Sequence, residues 1–213
     1  TWAEAASGAP LYAANESSPT AQPSATGANA VAIGENTVAS GANSFAANEA
    51  TASGVNAAAF GDATTLASGD KSFAAGYDAI ASGYASVAMG DNANATGSTT
   101  LAIGGGNVTA SAARTIALGY AASASWDDAV AIGRSTVSSG SGSIALAKSA
   151  QATGNNAAAI GVSYASGSNS FAAVITDNTS SYGATGANSI AMGYQSKATN
   201  TGAQGIGYLA TAS

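Results

Sequence analysis

Small and apolar residues recur along this chain in one five-residue block: a small residue, a large apolar one, Ala, a second apolar one and Gly. It reads Ala30-Val31-Ala32-Ile33-Gly34, Ser44-Phe45-Ala46-Ala47-Asn48, Ala57-Ala58-Ala59-Phe60-Gly61 and Ser72-Phe73-Ala74-Ala75-Gly76. The block continues at Ser86, Thr100, Thr115, Ala129, Ser143, Ala157, Ser170, Ser189 and Ala203, and Leu11-Tyr12-Ala13-Ala14-Asn15 fits the frame, making fourteen copies. Most steps are 14 residues with slips of one, and two are 19. Between the blocks lies a second motif, Ala-Ser/Thr-Gly, as in Ala39-Ser40-Gly41, Ala52-Ser53-Gly54 and Ala95-Thr96-Gly97.

A repeat of this length, broken by Gly and Asn, predicts two short strands and two tight turns, because Gly and Asn supply the positive φ that turns require. Asn29, Asn43, Asn56, Asn156, Asn169 and Asn188 return to one turn slot. A helix is excluded, since the recurrent Gly would cost about 1 kcal/mol at each occurrence. Stacked about 4.8 Å apart, fourteen rungs make a rod on the order of 60 Å long. The fold expected is all-β, a parallel β-solenoid of narrow section. It forms a single domain over 1–213, with longer connections at 16–24 and 175–183 where the 19-residue steps fall.

Alternation along the first strand puts its two apolar slots on one face and the middle Ala on the other. The apolar slots compensate in size: Phe45, Phe73 and Phe171 precede Ala47, Ala75 and Ala173, whereas Ala58 and Ala158 precede Phe60 and Ile160. Shared volume of this kind points to an interior, so these slots are expected to face inward. They would meet the small second-strand slots Ala39, Ala52, Ala67, Ala81, Ala95, Ala124, Ala152, Ala165, Ala184 and Ala198, with Thr37, Thr65 and Thr136 two residues earlier. The outward face of the first strand would then be a flat row of Ala32, Ala46, Ala59, Ala74, Ala88, Ala102, Ala117, Ala131, Ala145, Ala159, Ala172 and Ala191. That row is expected to be the contact between copies of a homo-oligomer, a parallel trimer about the long axis.

Composition narrows the function. Ala (57), Ser (30), Gly (27) and Thr (20) make up 134 of the 213 residues, charged residues are 8%, and the net charge is −6. The chain has no His and no Cys, which removes imidazole bases, thiolate nucleophiles, disulfides and zinc–thiolate sites. An enzyme is not expected, nor a cofactor or a metal site. Five scattered basic residues argue against nucleic acid. No apolar run approaches a membrane span, and no charged start with an apolar segment marks a signal peptide, so the chain reads as a mature or excised soluble fragment.

The blocks Asn29-Ala30-Val31-Ala32-Ile33-Gly34, Asn43-Ser44-Phe45-Ala46-Ala47 and Asn188-Ser189-Ile190-Ala191-Met192-Gly193, each followed by Ala-Ser-Gly or a close variant, resemble the head repeats of trimeric autotransporter adhesins of the YadA type. The resemblance implies a left-handed parallel β-roll trimer displayed on a Gram-negative outer membrane. It also implies attachment to host extracellular matrix, cells or abiotic surfaces. Stalk, neck and membrane anchor have no counterpart in this chain, so the membrane link would lie outside it.

Candidate ligand-binding positions are the variable, solvent-facing ones. The slot after the first-strand Gly is acidic early (Glu35, Glu49, Asp62, Asp91) and aromatic at Tyr77, Tyr120, Tyr194 and Tyr208. Exposed Tyr on a rigid scaffold forms a recognition patch, or packs at a subunit boundary. The 175–183 insertion contributes Asp177 and Tyr182, and loops that leave a regular scaffold often carry function. Trp126 replaces Gly in its slot and precedes Asp127-Asp128, either as a binding feature or as a wedge between subunits. The leading expectation is a non-enzymatic adhesive head. An ice-binding solenoid and an inert spacer are the alternatives, the first because Ser or Thr precedes the second-strand Gly in rung after rung.

Overall fold

The computed structural model describes residues 22–177 and 179–213. The copy at Leu11–Asn15 and most of the 16–24 connection lie outside these residues. From Ser24 onward the chain winds as a parallel β-solenoid of two sheets, one of 14 two-residue strands from Ser24–Ala25 to Thr211–Ala212. The other has 13 strands of three or four residues, from Val31–Ile33 to Gln204–Ile206. Successive strands alternate between the sheets, and every pairing is parallel and in register with the repeat. Val31 pairs with Phe45, Ala32 with Ala46 and Ile33 with Ala47, while Ala39 pairs with Ala52 on the other sheet.

Each rung turns twice. At the first turn the fourth residue's amide bonds back to the first residue's carbonyl, as from Ser44 N to Gly41 O at 3.2 Å, and Asn43 takes φ 57°. Asn29, Asn56, Asn156, Asn169 and Asn188 hold the same left-handed conformation. Their amides also stack from rung to rung, Asn29 to Asn43 at 3.1 Å and Asn156 to Asn169 to Asn188 at 3.3 and 3.2 Å. The glycine opening this turn is needed for closeness: a Cβ on Gly83 would lie inside the backbone of Gly97.

Inside and outside on the first strand are the reverse of the sequence expectation. Ala46, Ala59, Ala74, Ala88, Ala102, Ala117, Ala131, Ala145, Ala159, Ala172 and Ala191 are completely buried within the chain's own roll, and Ala32 nearly so. The large apolar slots on either side of them point outward. The row therefore lies inside each chain and is not a contact face between chains. The physical reason is thickness. The second sheet presents Ala39, Ala52, Ala67 and their equivalents inward, also fully buried, and two sheets this narrow close on each other only over methyl-sized side chains.

Hydroxyls complete this interior. Ser86, Thr100, Thr115, Ser143 and Ser189 donate to the carbonyl three residues back, at 2.6–3.0 Å. These five hydroxyls are thereby satisfied without widening the roll, whereas Ser44, Ser72 and Ser170 Oγ in the same slot are buried without a partner. Hydroxyls also absorb length changes: Thr37 Oγ1 accepts from Glu49 N at 2.9 Å where the next rung's turn is one residue short, and Ser163 Oγ accepts from Ile175 N at 3.2 Å where the next rung's turn carries the insertion. Ile175 itself turns into the core and is completely buried, anchoring the base of the second insertion. The buried apolar residues form two clusters, one ending at Ala131 and the other starting at Ala145. Between them stand Thr136, Ser138 and Ser143, with Ser138 and Ser143 joined Oγ to Oγ at 2.6 Å.

Candidate functional site

Three surfaces run the length of the roll. The outer side of the 13-strand sheet is apolar: Val31 with Ile33, Val87 with Met89, Val130 with Ile132 and Ile190 with Met192 stand partly exposed on rungs spread along its length. Phe60 and Ile132 are each 38% exposed. Phe45, Phe60 and Phe73 form a ring ladder, with centroids 5.2 and 5.8 Å apart. The size compensation between the two slots of each rung thus operates on an outer surface. Solvent places no limit on volume, so solvation alone does not account for rungs that keep a common thickness.

The outer side of the 14-strand sheet is polar and mixed. Exposed Ser40, Ser53, Ser82, Thr96, Ser111, Ser125 and Thr199 form a hydroxyl row beside an irregular one of Val38, Thr51, Leu66, Ile80, Asn94 and Gln151. The third surface comprises the two turn edges, where nearly all the charge lies.

A family model for the YadA head domain repeat matches residues 25–47, 67–93, 81–107, 110–133, 127–146 and 184–203, more than half of the chain. The chain belongs to the YadA head family. Comparison with curated proteins returned no match. YadA-type heads are the adhesive parts of outer-membrane-anchored surface proteins, form trimers, bind surfaces and are generally non-enzymatic. The repeats, the two-sheet roll and the family assignment agree with one another.

In this YadA-type head Tyr77, Tyr120, Tyr194 and Tyr208 share a turn edge but not one patch. Tyr77 and Tyr120 are exposed, with Asp91 and Gly105 occupying the slots between them. The Tyr120 ring lies so close over Gly106 that a Cβ there would collide with it. Tyr194 and Tyr208 do stack, with centroids 5.3 Å apart and planes within 11°, and Tyr208 is 75% exposed. Tyr182 is elsewhere: it is half-buried beneath Lys197, whose Nζ is 5.6 Å from the ring centroid. A similar pair escaped sequence inspection, Lys71 Nζ lying 5.0 Å from the Tyr84 centroid and 2.6 Å from its hydroxyl. The signal was present as a Lys and a Tyr 13 residues apart, at neighbouring slots of one turn.

The acidic positions hold their own loops. Asp62 accepts from Thr64 and Thr65 hydroxyls at 2.9 Å and from Asp78 N at 3.3 Å. Desolvation works against its charge, but these hydrogen bonds outweigh it and hold the carboxyl below the ordinary carboxylate range. Asp177 caps its loop by accepting from Thr179 N at 2.8 Å, and its carboxyl is lowered by the Thr179 hydrogen bonds.

Trp126 stands 60% exposed at the other turn edge. Beside it Arg114 grips Asp128 through two bonds, Nε to Oδ1 at 2.6 Å and Nη2 to Oδ2 at 2.9 Å. The hydrogen bond from Arg114 lowers the Asp128 carboxyl, and that carboxylate in turn raises the guanidinium. Asp127 is spoken for only in part: Oδ1 accepts from Ala113 N at 3.1 Å, and Oδ2 lies 3.6 Å from Arg114.

Proposed function

We propose that this chain is the head of a homotrimeric surface adhesin, three copies lying parallel with their 13-strand sheets turned towards a common axis. The observation that carries this reading is the half-exposed, size-compensated apolar face extending from Val31 to Ile206. Covering it with two further copies hides the large side chains that the narrow interior of one chain has no room for. The 14-strand sheet and the turn edges are then left outward, and repetition over rungs and copies makes weak contacts additive. Attachment to extracellular matrix, cells or solid surfaces would thus be multivalent, with the membrane anchor supplied by other parts of the protein.

Light scattering on the purified chain should give three times the 20.0 kDa chain mass. The trimer should be retained on surfaces coated with matrix proteins. A monomer that binds none of them defeats the proposal, whereas a trimer that binds none leaves a spacer.

A further inference from the structure

Residues 112–143 break the repeat at several slots at once. In the turn slot that is Gly at Gly41, Gly54, Gly69, Gly83, Gly97, Gly154, Gly167 and Gly186, the chain has Ala112 and then Trp126. At those glycines the amide shares a carbonyl of the next rung with the residue before it, as Gly83 N does with Ala95 O at 3.3 Å. That second bond is not made at Ala112, Trp126 or Gly140, and Gly140 N turns instead to Ser143 Oγ at 3.1 Å. Ser138 takes the one inward slot in this column that is Ala in the neighbouring rungs, and Arg114 with Asp128 replaces the stacked Asn pair. Departures from a repeat that forfeit backbone bonds mark places where something besides folding is served.

What these departures produce is an exposed indole on a rigid turn, closed by Ala129 N to Trp126 O at 3.0 Å. Its next neighbour in the chain, Asp127, is a carboxylate whose charge is balanced only in part. Arg114 makes its two-bonded pair with Asp128 and reaches Asp127 only at 3.6 Å, so the cluster of one guanidinium and two carboxylates carries about one net negative charge, least compensated at Asp127. An exposed indole next in the chain to a carboxylate suits a cation, since the indole quadrupole and the carboxylate both attract it. The chain's net charge of −6 adds long-range attraction of the same sign.

We infer that Trp126 and Asp127 form a binding site for a basic side chain, Arg or Lys, presented by a partner protein. This deepens the adhesive reading and rests on it: each copy offers one weak site, and assembly multiplies them.

The test uses retention of the full chain on a poly-L-arginine surface, compared with Trp126→Gly, Asp127→Asn and the control Asp91→Asn. Trp126→Gly restores the repeat's own residue and leaves the charge unchanged, so mass and melting temperature should hold. Retention should fall about five-fold with Trp126→Gly, the upper range for one exposed cation–π contact, and fall also with Asp127→Asn but not with Asp91→Asn. In a Trp2→Phe background, Trp126 emission should respond to an arginine peptide and not to a neutral chito-oligosaccharide.

Unchanged retention of Trp126→Gly overturns the site, because attraction would then be diffuse. A response to the oligosaccharide alone overturns it in favour of sugar recognition, and dissociation of the oligomer by Trp126→Gly shows a wedge between subunits. Attachment to matrix-coated surfaces that survives in Trp126→Gly rejects this site while leaving the adhesive reading standing.

Discussion

At the scale of single residues, the fold depends on how little space an alanine takes. Ala88 pairs with Ala74 and Ala102 along its strand column, and all three are completely buried. Its neighbours in the next sheet over are alanines of the same exposure. A core this thin has no slack into which a larger side chain can relax. Ala88→Val should therefore destabilise the chain by about 1–3 kcal/mol despite its greater hydrophobicity, lowering the melting temperature by several degrees for a chain of this size. Calorimetry would check it, and an unchanged or raised melting temperature would show that the middle slot is not the interior.

At the scale of strands and turns, hydrogen bonds do what large side chains do elsewhere. Two- and three-residue strands offer few contacts of their own, so the turns must be exact in length, and side-chain oxygens correct them where they are not. Asp62 does this in a 15-residue rung, with Thr64, Thr65 and the Asp78 amide as donors. Asp128 and Asp177 act similarly at two other turns.

All three carboxyls are lowered in the folded chain. The folded state thus binds fewer protons than the unfolded state in the acid range. Their contribution is fully present above the ordinary Asp value of about 3.9 and is lost as pH falls through the lowered native values. Stability should be level from pH 7 to about 5 and fall below about 4. Asp62→Asn should flatten part of that fall, since the amide oxygen still accepts but does not titrate. Melting curves against pH would decide it, and identical acid slopes for both proteins would remove Asp62 from the account. The groups are exposed or half-exposed, so the effect is modest and weakened by salt.

The same scale shows what could be read from residues alone. Strand number, parallel order, turn positions and the left-handed Asn slots follow from spacing and turn chemistry, because Gly and Asn have few substitutes at positive φ. The second strand's inward Ala column was legible too. The first strand's phase was not, since a period of two separates faces without saying which is covered. Size compensation between Phe45 and Ala47 or Ala58 and Phe60 points to a common thickness, and a common thickness on an outer face looks the same in sequence as one within the roll. Contacts across rungs, such as Lys71 with Tyr84 or Arg114 with Asp128, became visible only once the register was known.

At the scale of the whole molecule, the inverted assignment divides stability into two parts. The roll is held by its alanine interior and by ladders of backbone bonds, both present in one chain. In the proposed trimer the large side chains would contribute mainly where copies meet. Replacing one of them with a charge should therefore separate assembly from folding, which no substitution in the alanine columns can do. Ile132 is central on the apolar face, paired with Leu118 and Leu146 on the neighbouring rungs. In Ile132→Lys, three ammonium groups would converge near the common axis of a trimer, where neither water nor an acidic partner offsets them. The variant should sediment as a monomer or a weakened, concentration-dependent oligomer while keeping the β-sheet circular dichroism of the parent. Its melting temperature should be lower and depend less on protein concentration than the parent's, because less of its stability then comes from assembly. An Ile132→Lys protein that stays trimeric with parental stability would show that copies meet through some other face, and one that loses its sheet structure altogether would show that the roll does not fold without its partners.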